Sequence, residues 1–237
     1  MASTNIDHPR TALIVGASRG LGHAIAAEFF ERGWHVIGTV RDTSARTPLH
    51  ELAERSGGRV RVEQLDINEP TQPAALRERL GERELDVLFV NAGTTSHQDT
   101  PAGAVPLENF VEVMVTNAFS PMRVIETLDD LVSPAGLIGA MSSGQGSITN
   151  NTKGGRELYR SSKAALNMFM RSLAARQAGS ERAFALIAPG WIRTGLGGPD
   201  APYTLEESVP PIVDVLLSRL DETGLAYLDR FGQTVPW

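Results

Sequence analysis

Tyr159 and Lys163 are two residues whose types and spacing could carry acid–base chemistry. They stand four positions apart in segment 158–177, which has a helical pattern, so their side chains share one helix face about one turn apart. A tyrosine hydroxyl has an ordinary pKa of about 10, and a nearby ammonium stabilises the phenolate and lowers that pKa. The spacing predicts a general acid–base that works near neutral pH. Tyr-x-x-x-Lys is common by itself, so the prediction depends on its surroundings.

A glycine-rich turn, Gly16-Ala17-Ser18-Arg19-Gly20-Leu21-Gly22, separates the first predicted strand from the first predicted helix. Glycines let a backbone approach a phosphate closely, and a helix N-terminus offers free N–H groups. The spacing is G-x-x-x-G-x-G rather than G-x-G-x-x-G, so the turn indicates either dinucleotide binding or a plain connection. It also fits the G-x-S-x-G turn of hydrolases, with Ser18 as nucleophile. That hypothesis needs a later histidine, and the last one is His97.

Two arginines favour NADP(H) over NAD(H). The second predicted strand ends at Val40-Arg41-Asp42, and Arg19 lies in the glycine turn. An acidic residue at this strand tip would bind the ribose 2′-hydroxyl of NAD, whereas two guanidiniums can bind a 2′-phosphate through charge-assisted hydrogen bonds. Asp42 leaves open how strong the preference is, and both arginines could instead be solvated surface charges.

The composition excludes several classes of protein. There is no cysteine, hence no disulfide, thiol nucleophile or cysteine-ligated zinc, and the five histidines lack metal-site spacing, so we expect no metal. The net charge of −6 argues against nucleic-acid binding. Residues 1–10 lack the apolar run of a signal peptide, and no run of about 18 apolar residues predicts a membrane span. We therefore expect a cytoplasmic protein without nucleic-acid or membrane partners.

The elements that must position these residues alternate between short apolar runs and helical patterns, which predicts repeated βαβ units. The predicted strands are 11–15, 35–39, 60–64, 87–90, 137–141, 184–187 and a short last strand near 225–228; the predicted helices are 21–32, 73–82, 107–131 and 158–177. The right-handed crossover rule favours an α/β, doubly wound, Rossmann-like parallel sheet of about seven strands. We expect a single domain over residues 1–237.

Two segments are interpreted as functional loops beyond the carboxyl ends of the strands, where ligands bind such sheets. Segment 150–156 is polar and glycine-rich and precedes the Tyr159 helix. Segment 195–202 is rich in glycine and proline and is followed by 205–208 and Pro210-Pro211, which together predict a substrate loop near 195–210. With Met141, His97 and Trp191, this loop would line the substrate pocket and close as a lid.

Over nearly its whole length the chain resembles the short-chain dehydrogenase/reductase family. The matching motifs occur in order: the glycine turn, Asp66-Ile67, Asn91-Ala92-Gly93, Asn117, Ser142-Ser143, Tyr159-x-x-x-Lys163 and Pro189-Gly190-Trp191-Ile192-Arg193-Thr194. Each motif is weak alone, and their joint order and spacing carry the resemblance.

The resemblance implies four catalytic residues. Tyr159 would donate a proton to a carbonyl oxygen in reduction, or remove it from an alcohol in oxidation, and Ser143 would hydrogen-bond that oxygen. Lys163 would bind the nicotinamide ribose and tune Tyr159. Asn117 would hold a water in a proton relay to Lys163, or would only shape its helix. Ser142 competes with Ser143, because neighbouring strand residues face opposite sides; the family usually uses the second serine, which favours Ser143.

The remaining motifs would bind the cofactor. Asp66 would contact the adenine or only cap a loop, Asn91 and Gly93 would support the cofactor side of the sheet, and Ile192 and Thr194 would meet the nicotinamide amide. The full set of predicted cofactor residues is Gly16, Ser18, Arg19, Gly20, Leu21, Gly22, Arg41, Asp66, Ile67, Asn91, Ala92, Gly93, Tyr159, Lys163, Pro189, Gly190, Ile192 and Thr194.

An insertion indicates a subgroup. Ser143 and Tyr159 are 16 positions apart, which is longer than in many family members, and the extra residues fall at 150–155. This insertion, segment 159–168, Gly197-Gly198-Pro199 and the ending 232–237 are similar to the small carbonyl reductases related to sniffer and C-signal-like proteins. The resemblance implies NADP(H)-dependent conversion of a ketone, aldehyde or quinone, or of the matching alcohol, in a homodimer or homotetramer. The alternative is a nucleotide-bound, C-signal-like signalling protein with little turnover.

Overall fold

Seven parallel strands form the centre of the chain in a computed structural model that describes residues 9–237. The first eight residues, including most of the polar segment 1–10, lie outside the described part. The strands are β1 (Thr11–Val15), β2 (His35–Val40), β3 (Val60–Gln64), β4 (Leu85–Val90), β5 (Val132–Met141), β6 (Ala183–Ala188) and β7 (Gly224–Asp229). The predicted α/β, Rossmann-like parallel sheet of seven strands in a single domain is confirmed.

The strand order is β3-β2-β1-β4-β5-β6-β7. The chain therefore builds outward from β1 to β3 on one side, then crosses back to place β4 against the other side of β1. In a sheet wound in two directions, ligands bind in the crevice beyond the carboxyl ends of the strands where the winding reverses. The glycine turn follows β1, and Asn91-Ala92-Gly93 follows β4.

Both faces of the sheet are buried, because successive strand residues point to opposite sides. In β1, Leu13 and Val15 belong to one hydrophobic core, and Ala12 and Ile14 belong to the other. Helices cover each face. They are α1 (Gly20–Glu31), α2 (Pro48–Arg55), α3 (Gln72–Leu80), α4 (Leu107–Met114), α5 (Ser120–Leu128), α6 (Glu157–Arg176) and α7 (Leu205–Ser218). Within residues 9–237, none of the helices is long and apolar enough to span a bilayer.

Two helices differ from the sequence prediction, since α2 and α7 fall in segments with no predicted helix. The predicted substrate loop near 195–210 is wrong beyond Thr204, where α7 begins. Thr204 accepts a hydrogen bond from the backbone N–H of Glu207, whose carboxylate accepts one from Thr204 in turn, which is a reciprocal cap that starts a helix. Pro210 and Pro211 suggested a break, but the helix continues because its apolar face is buried against the core.

The predicted helix 107–131 contains a π-helical turn, Val115–Phe119, between α4 and α5, and ends in a 3₁₀ turn, Asp129–Leu131. Pro121 explains the irregular turn, because proline has no N–H and its ring clashes with the carbonyl four residues earlier, that of Asn117. Widening the helix by one residue removes the clash. Such π turns are frequent at functional sites, and this one contains Asn117, a predicted site residue. Strand β5 also begins at Val132, earlier than predicted.

Candidate active site

Tyr159 and Lys163 lie on the inward face of α6, and both side chains are buried. The Lys163 Nζ donates a hydrogen bond of 2.9 Å to the backbone carbonyl oxygen of Met141, the last residue of β5. The same Nζ lies 5.9 Å from the centre of the Tyr159 ring. The four-residue spacing therefore brings the two side chains together at the carboxyl end of β5, as predicted from the sequence.

Burial controls the electrostatics of this pair. It raises the pKa of the Tyr159 hydroxyl, an effect that a hydrogen bond with Ser143 and the nearby charge of Arg156 oppose. Burial also lowers the pKa of Lys163 to about 8. The sequence predicted a lowered pKa for Tyr159, whereas the net shift in the structure is upward, because the loss of hydration outweighs the opposing effects of Ser143 and of the Arg156 charge.

The two adjacent serines have different partners. The Ser143 side chain lies close enough to the Tyr159 hydroxyl to oppose the rise of its pKa, and its hydroxyl accepts a hydrogen bond of 3.1 Å from the backbone N–H of Gln145. The Ser142 hydroxyl is buried and donates to Oδ1 of Asn167 at 2.6 Å. Only Ser143 lies beside the Tyr159 hydroxyl, and this contact supports the choice of Ser143 over Ser142.

Asn167 and Tyr227 hold the turn at Ser142-Ser143 in place through hydrogen bonds. The sequence interpretation missed both residues. Asn167 stands four residues after Lys163 on α6 and also donates to the carbonyl of Gly146. The Tyr227 hydroxyl, on β7, donates to the backbone carbonyl of Ser143. The helical spacing from Lys163 could have indicated Asn167, whereas nothing in the sequence links Tyr227 to a turn 84 residues away.

Asn117 is fully buried and braces the segment that follows β4. Its Oδ1 accepts the backbone N–H of Thr94 at 2.7 Å, and its Nδ2 donates to the carbonyl of Thr94 and to the hydroxyl of Ser162. A Cβ atom added to Gly93 would lie 3.3 Å from Asn117 Oδ1 and 3.5 Å from Lys163 Nζ. The structure thus brings Asn117, Gly93 and Lys163 together. A water held by Asn117 stays a prediction.

The glycine turn is shaped by contacts that exclude side chains. Gly16 and Gly20 have positive φ angles of 83° and 58°, which glycine adopts without strain. A Cβ atom on Gly22 would lie 2.1 Å from the carbonyl oxygen of Gly16, and Asn91 donates to that same oxygen. No side chain caps the start of α1, so its first N–H groups are available to an anion, as a helix N-terminus binds phosphate.

The arginines predicted to select the cofactor are exposed at this edge. Within residues 9–237, neither Arg19 nor Arg41 makes an ion pair with an acidic side chain. The Asp42 carboxylate accepts hydrogen bonds from the backbone N–H and the hydroxyl of Ser44, which lower its pKa. Oδ1 of the Asp42 carboxylate is therefore already hydrogen-bonded within its own turn.

The other predicted cofactor residues lie at the ends of β3 and β6. The Asp66 carboxylate accepts the N–H of Asn68, as a loop cap does, and the Ile67 side chain is in the core. After β6, the segment from Pro189 to Thr194 runs beside the glycine turn, where a Cβ atom on Gly20 would lie 3.8 Å from the Cβ of Thr194. The structure brings these two segments together, while the adenine contact of Asp66 stays a prediction.

The motifs extend over the whole length that the family model for short chain dehydrogenases matches, residues 10–202. The chain belongs to the short-chain dehydrogenase family. Family membership argues against the hydrolase hypothesis, and within residues 9–237 no histidine is hydrogen-bonded to Ser18. Nor does the described part of the chain hold a group of three or more histidine, aspartate or glutamate side chains that could bind a metal.

Three similar proteins refine this placement. A Burkholderia multivorans protein described as a short-chain dehydrogenase/reductase, solved with bound NADP, is 60% identical, has a TM-score of 0.95 and is matched over 97% of this chain and 100% of its own. A carbonyl reductase from Pseudomonas aeruginosa in complex with NADP is 34% identical, with a TM-score of 0.90 over 97% and 100%. C-signal from Myxococcus xanthus is 33% identical over 155 residues, 65% of this chain and 93% of C-signal. The predicted resemblance to this subgroup of the short-chain dehydrogenases is confirmed.

Proposed function

We propose that this short-chain dehydrogenase is an NADP(H)-dependent carbonyl reductase, which reduces a ketone, aldehyde or quinone or oxidises the matching alcohol. The observation that carries the proposal is the placement of the Tyr159 hydroxyl close to Ser143, with Lys163 on the next turn of the same helix and its Nζ 5.9 Å from the centre of the Tyr159 ring. Two hydroxyls on adjacent elements can bind one carbonyl oxygen together. Their position at the carboxyl edge of the sheet is where ligands bind in this architecture.

In the proposed reduction, bound NADPH supplies the hydride that the carbonyl carbon accepts. The Tyr159 hydroxyl gives its proton to the carbonyl oxygen, so that a carbonyl and a proton plus a hydride become an alcohol, and solvent returns the proton to Tyr159. Ser143 donates a hydrogen bond to the same oxygen as negative charge develops there. The Lys163 ammonium, anchored to the Met141 carbonyl, places positive charge near the Tyr159 ring.

The residues present fit an NADP(H) molecule. The uncapped N-terminus of α1 offers N–H groups to a pyrophosphate, and Gly16, Gly20 and Gly22 keep side chains out of the turn. Arg19 and Arg41 are exposed, have no acidic partner among residues 9–237, and could bind a 2′-phosphate, while Oδ1 of Asp42 is hydrogen-bonded by Ser44. The NADP-bound relatives support the same preference for NADP(H).

Replacing Tyr159 with phenylalanine tests the proposal. The substitution removes the proton donor without emptying the site, so NADPH oxidation with a panel of ketones, aldehydes and quinones should fall at least about 100-fold, while NADPH binding stays measurable. Tyr203→Phe removes a tyrosine hydroxyl from the predicted substrate loop without removing the proton donor, so it should lose far less activity than Tyr159→Phe. Wild-type protein without activity towards the whole panel, or a Tyr159→Phe variant with full activity, would refute the proposal.

A second candidate is a signalling protein, which the similarity to C-signal favours. Such a protein would bind the nucleotide without needing turnover. The Tyr159→Phe variant separates the two candidates, because it should lose reduction and keep any signalling that depends only on binding. The intact set of Ser143, Tyr159 and Lys163 supports a reductase as the first candidate.

The chain is also proposed to form a homodimer or homotetramer. The outward surfaces of α4, the π-helical turn and α6 expose six large apolar side chains, namely Leu107, Phe110, Val111, Phe119, Met168 and Phe169. An exposed apolar patch of this kind is typical of an interaction surface. A monomer in analytical ultracentrifugation at micromolar concentration would contradict the proposal. The cytoplasmic location stays a prediction.

A further inference from the structure

Arg156 has an unusual backbone conformation directly before the catalytic helix. Its φ and ψ angles of 51° and 37° are left-handed, which costs a residue with a side chain about 1–2 kcal/mol. Gly154 and Gly155 also have positive φ angles, and there glycine avoids the cost. A third glycine would relieve the strain, yet this position carries a long cationic side chain. Strained residues of this kind cluster at ligand sites.

The loop that contains Arg156 is fixed against the segment that follows β4. The backbone N–H of Arg156 donates a 3.0 Å hydrogen bond to the carbonyl of Gln98. His97, next to Gln98, is the other non-glycine residue with a positive φ in residues 9–237. The carboxylate of Glu157 accepts the backbone N–H of Ala102. Two strained segments therefore hold each other in place beside the Tyr159 helix.

The Arg156 guanidinium lies over the catalytic tyrosine and, in the part of the chain that the structure describes, has no hydrogen-bond or ion-pair partner. Its Cζ is 5.2 Å from the centre of the Tyr159 ring. Its Nε is buried without a hydrogen bond, and within the described chain the side chain forms no ion pair. The nearest acidic neighbour in sequence, Glu157, is already engaged with Ala102. The Arg156 residue is partly exposed, so water solvates the rest of the guanidinium, and a bound anion can replace that water with charge-assisted hydrogen bonds.

Three more unpartnered polar atoms come from the neighbouring turns. Oγ1 of Thr95 and Oγ of Ser96 follow β4, and Oε1 of Gln145 follows β5. Gln145 is joined to the site through its N–H bond to Ser143. Buried polar groups normally have hydrogen-bond partners. The two hydroxyls can donate to oxygen atoms of a ligand, whereas Gln145 Oε1 accepts and would need a donor group on the ligand.

We propose that Arg156 is a specificity-determining residue that binds a carboxylate on the substrate, so that the preferred substrates are oxo acids. The inference rests on the proposed reductase function. The distance from the guanidinium to the Tyr159 ring requires a carboxylate within a few bonds of the carbonyl that Tyr159 and Ser143 hold. The planar guanidinium can donate two parallel hydrogen bonds to that carboxylate.

The test compares each oxo acid with its own methyl ester, which keeps the carbonyl and removes the charge. The probes are 4-oxopentanoate and 2-formylbenzoate with their methyl esters, assayed by NADPH oxidation. Wild-type protein should prefer each acid. Arg156→Gln should lower kcat/KM about 10–100-fold for the acids, the value of a charge-assisted hydrogen bond, and change the esters less than about threefold. Arg156→Lys should retain part of the preference, because lysine keeps the charge but not the planar fork.

Two further variants make the result interpretable. Lys153→Gln removes a positive charge from the same loop at an exposed position and should leave the preference for acids unchanged. Arg156→Gly suits the left-handed backbone, so it should keep the wild-type melting temperature and still lose the preference. If wild-type protein reduces the esters at least as well as the acids, the inference fails while the reductase function stands. If Arg156→Gln lowers kcat/KM equally for the acids and the esters, Arg156 acts only through Tyr159, and the inference is also overturned.

Discussion

Replacing Lys163 with methionine should change the way stability depends on pH. Burial lowers the pKa of Lys163 from its ordinary value of 10.5 to about 8, so the folded chain disfavours the charged amine. At about 1.4 kcal/mol per pKa unit, the difference corresponds to about 3 kcal/mol. Methionine has a similar length and no charge, so the variant removes this penalty. It also removes the hydrogen bond to the Met141 carbonyl, which offsets part of the gain at neutral pH.

The sign of the pH dependence follows from proton binding. Below about pH 8 both folded and unfolded chains hold the Lys163 proton, and the full penalty applies. Between about pH 8 and 10.5 the unfolded chain holds the proton and the folded chain does not, so wild-type stability rises with pH. From pH 7 to 9.5 the gain attributable to Lys163 is about 2 kcal/mol. Tyr159 contributes little to the change in stability between pH 7 and 9.5, because burial raises its pKa above the ordinary value.

Urea unfolding followed by tryptophan fluorescence measures the effect. The free energy of unfolding of Lys163→Met minus that of wild type should decrease by about 2 kcal/mol from pH 7 to 9.5. Lys153→Met is the matched control, since Lys153 is the other lysine of the chain and is exposed; its difference from wild type should stay flat. A flat difference for Lys163→Met would refute the lowered pKa, because an amine whose pKa stays at or above 10.5 keeps its proton in both states up to pH 9.5.

Two further substitutions test the cofactor and the serine pair. Arg41→Ala should weaken NADPH binding about 10–100-fold and leave NADH binding nearly unchanged, because one charge-assisted bond to the 2′-phosphate is lost; equal wild-type affinities for NADPH and NADH in fluorescence titrations would contradict this. Ser143→Ala should lower kcat/KM about 100-fold, whereas Ser142→Ala should mainly lower the melting temperature, because it breaks the buried bond to Asn167. If Ser142→Ala lost more activity than Ser143→Ala, the roles assigned to the two serines would have to be exchanged.

The sheet could be predicted from the sequence because its strands are short, apolar and buried on both faces. The two missed helices lacked a clear signal. α2 has only eight residues, and α7 contains Pro210 and Pro211, which normally break a helix. What holds α7 together is its reciprocal cap and the burial of its apolar face, and burial is a property of the folded chain rather than of a local pattern.

The site was predictable as a set of motifs and less so as a set of contacts. The order of the motifs identified Tyr159, Ser143 and Lys163, and the structure brings them together. The partners of these side chains were hidden, because the Lys163 bond to Met141 spans 22 residues and the Tyr227 bond to Ser143 spans 84. The directions of their pKa shifts could not be predicted from the sequence either, because they depend on how deeply each side chain is buried.

The two cations near Tyr159 act in different ways. Burial lowers the pKa of Lys163, whereas the charge of Arg156 opposes the rise that burial causes in the pKa of Tyr159. A raised pKa keeps the Tyr159 hydroxyl protonated, which suits a proton donor to a carbonyl oxygen. Because Arg156 limits that rise, an anion bound to Arg156 would weaken its effect and leave Tyr159 more firmly protonated. An oxo acid would in this way favour the protonated form of Tyr159 that its own reduction needs.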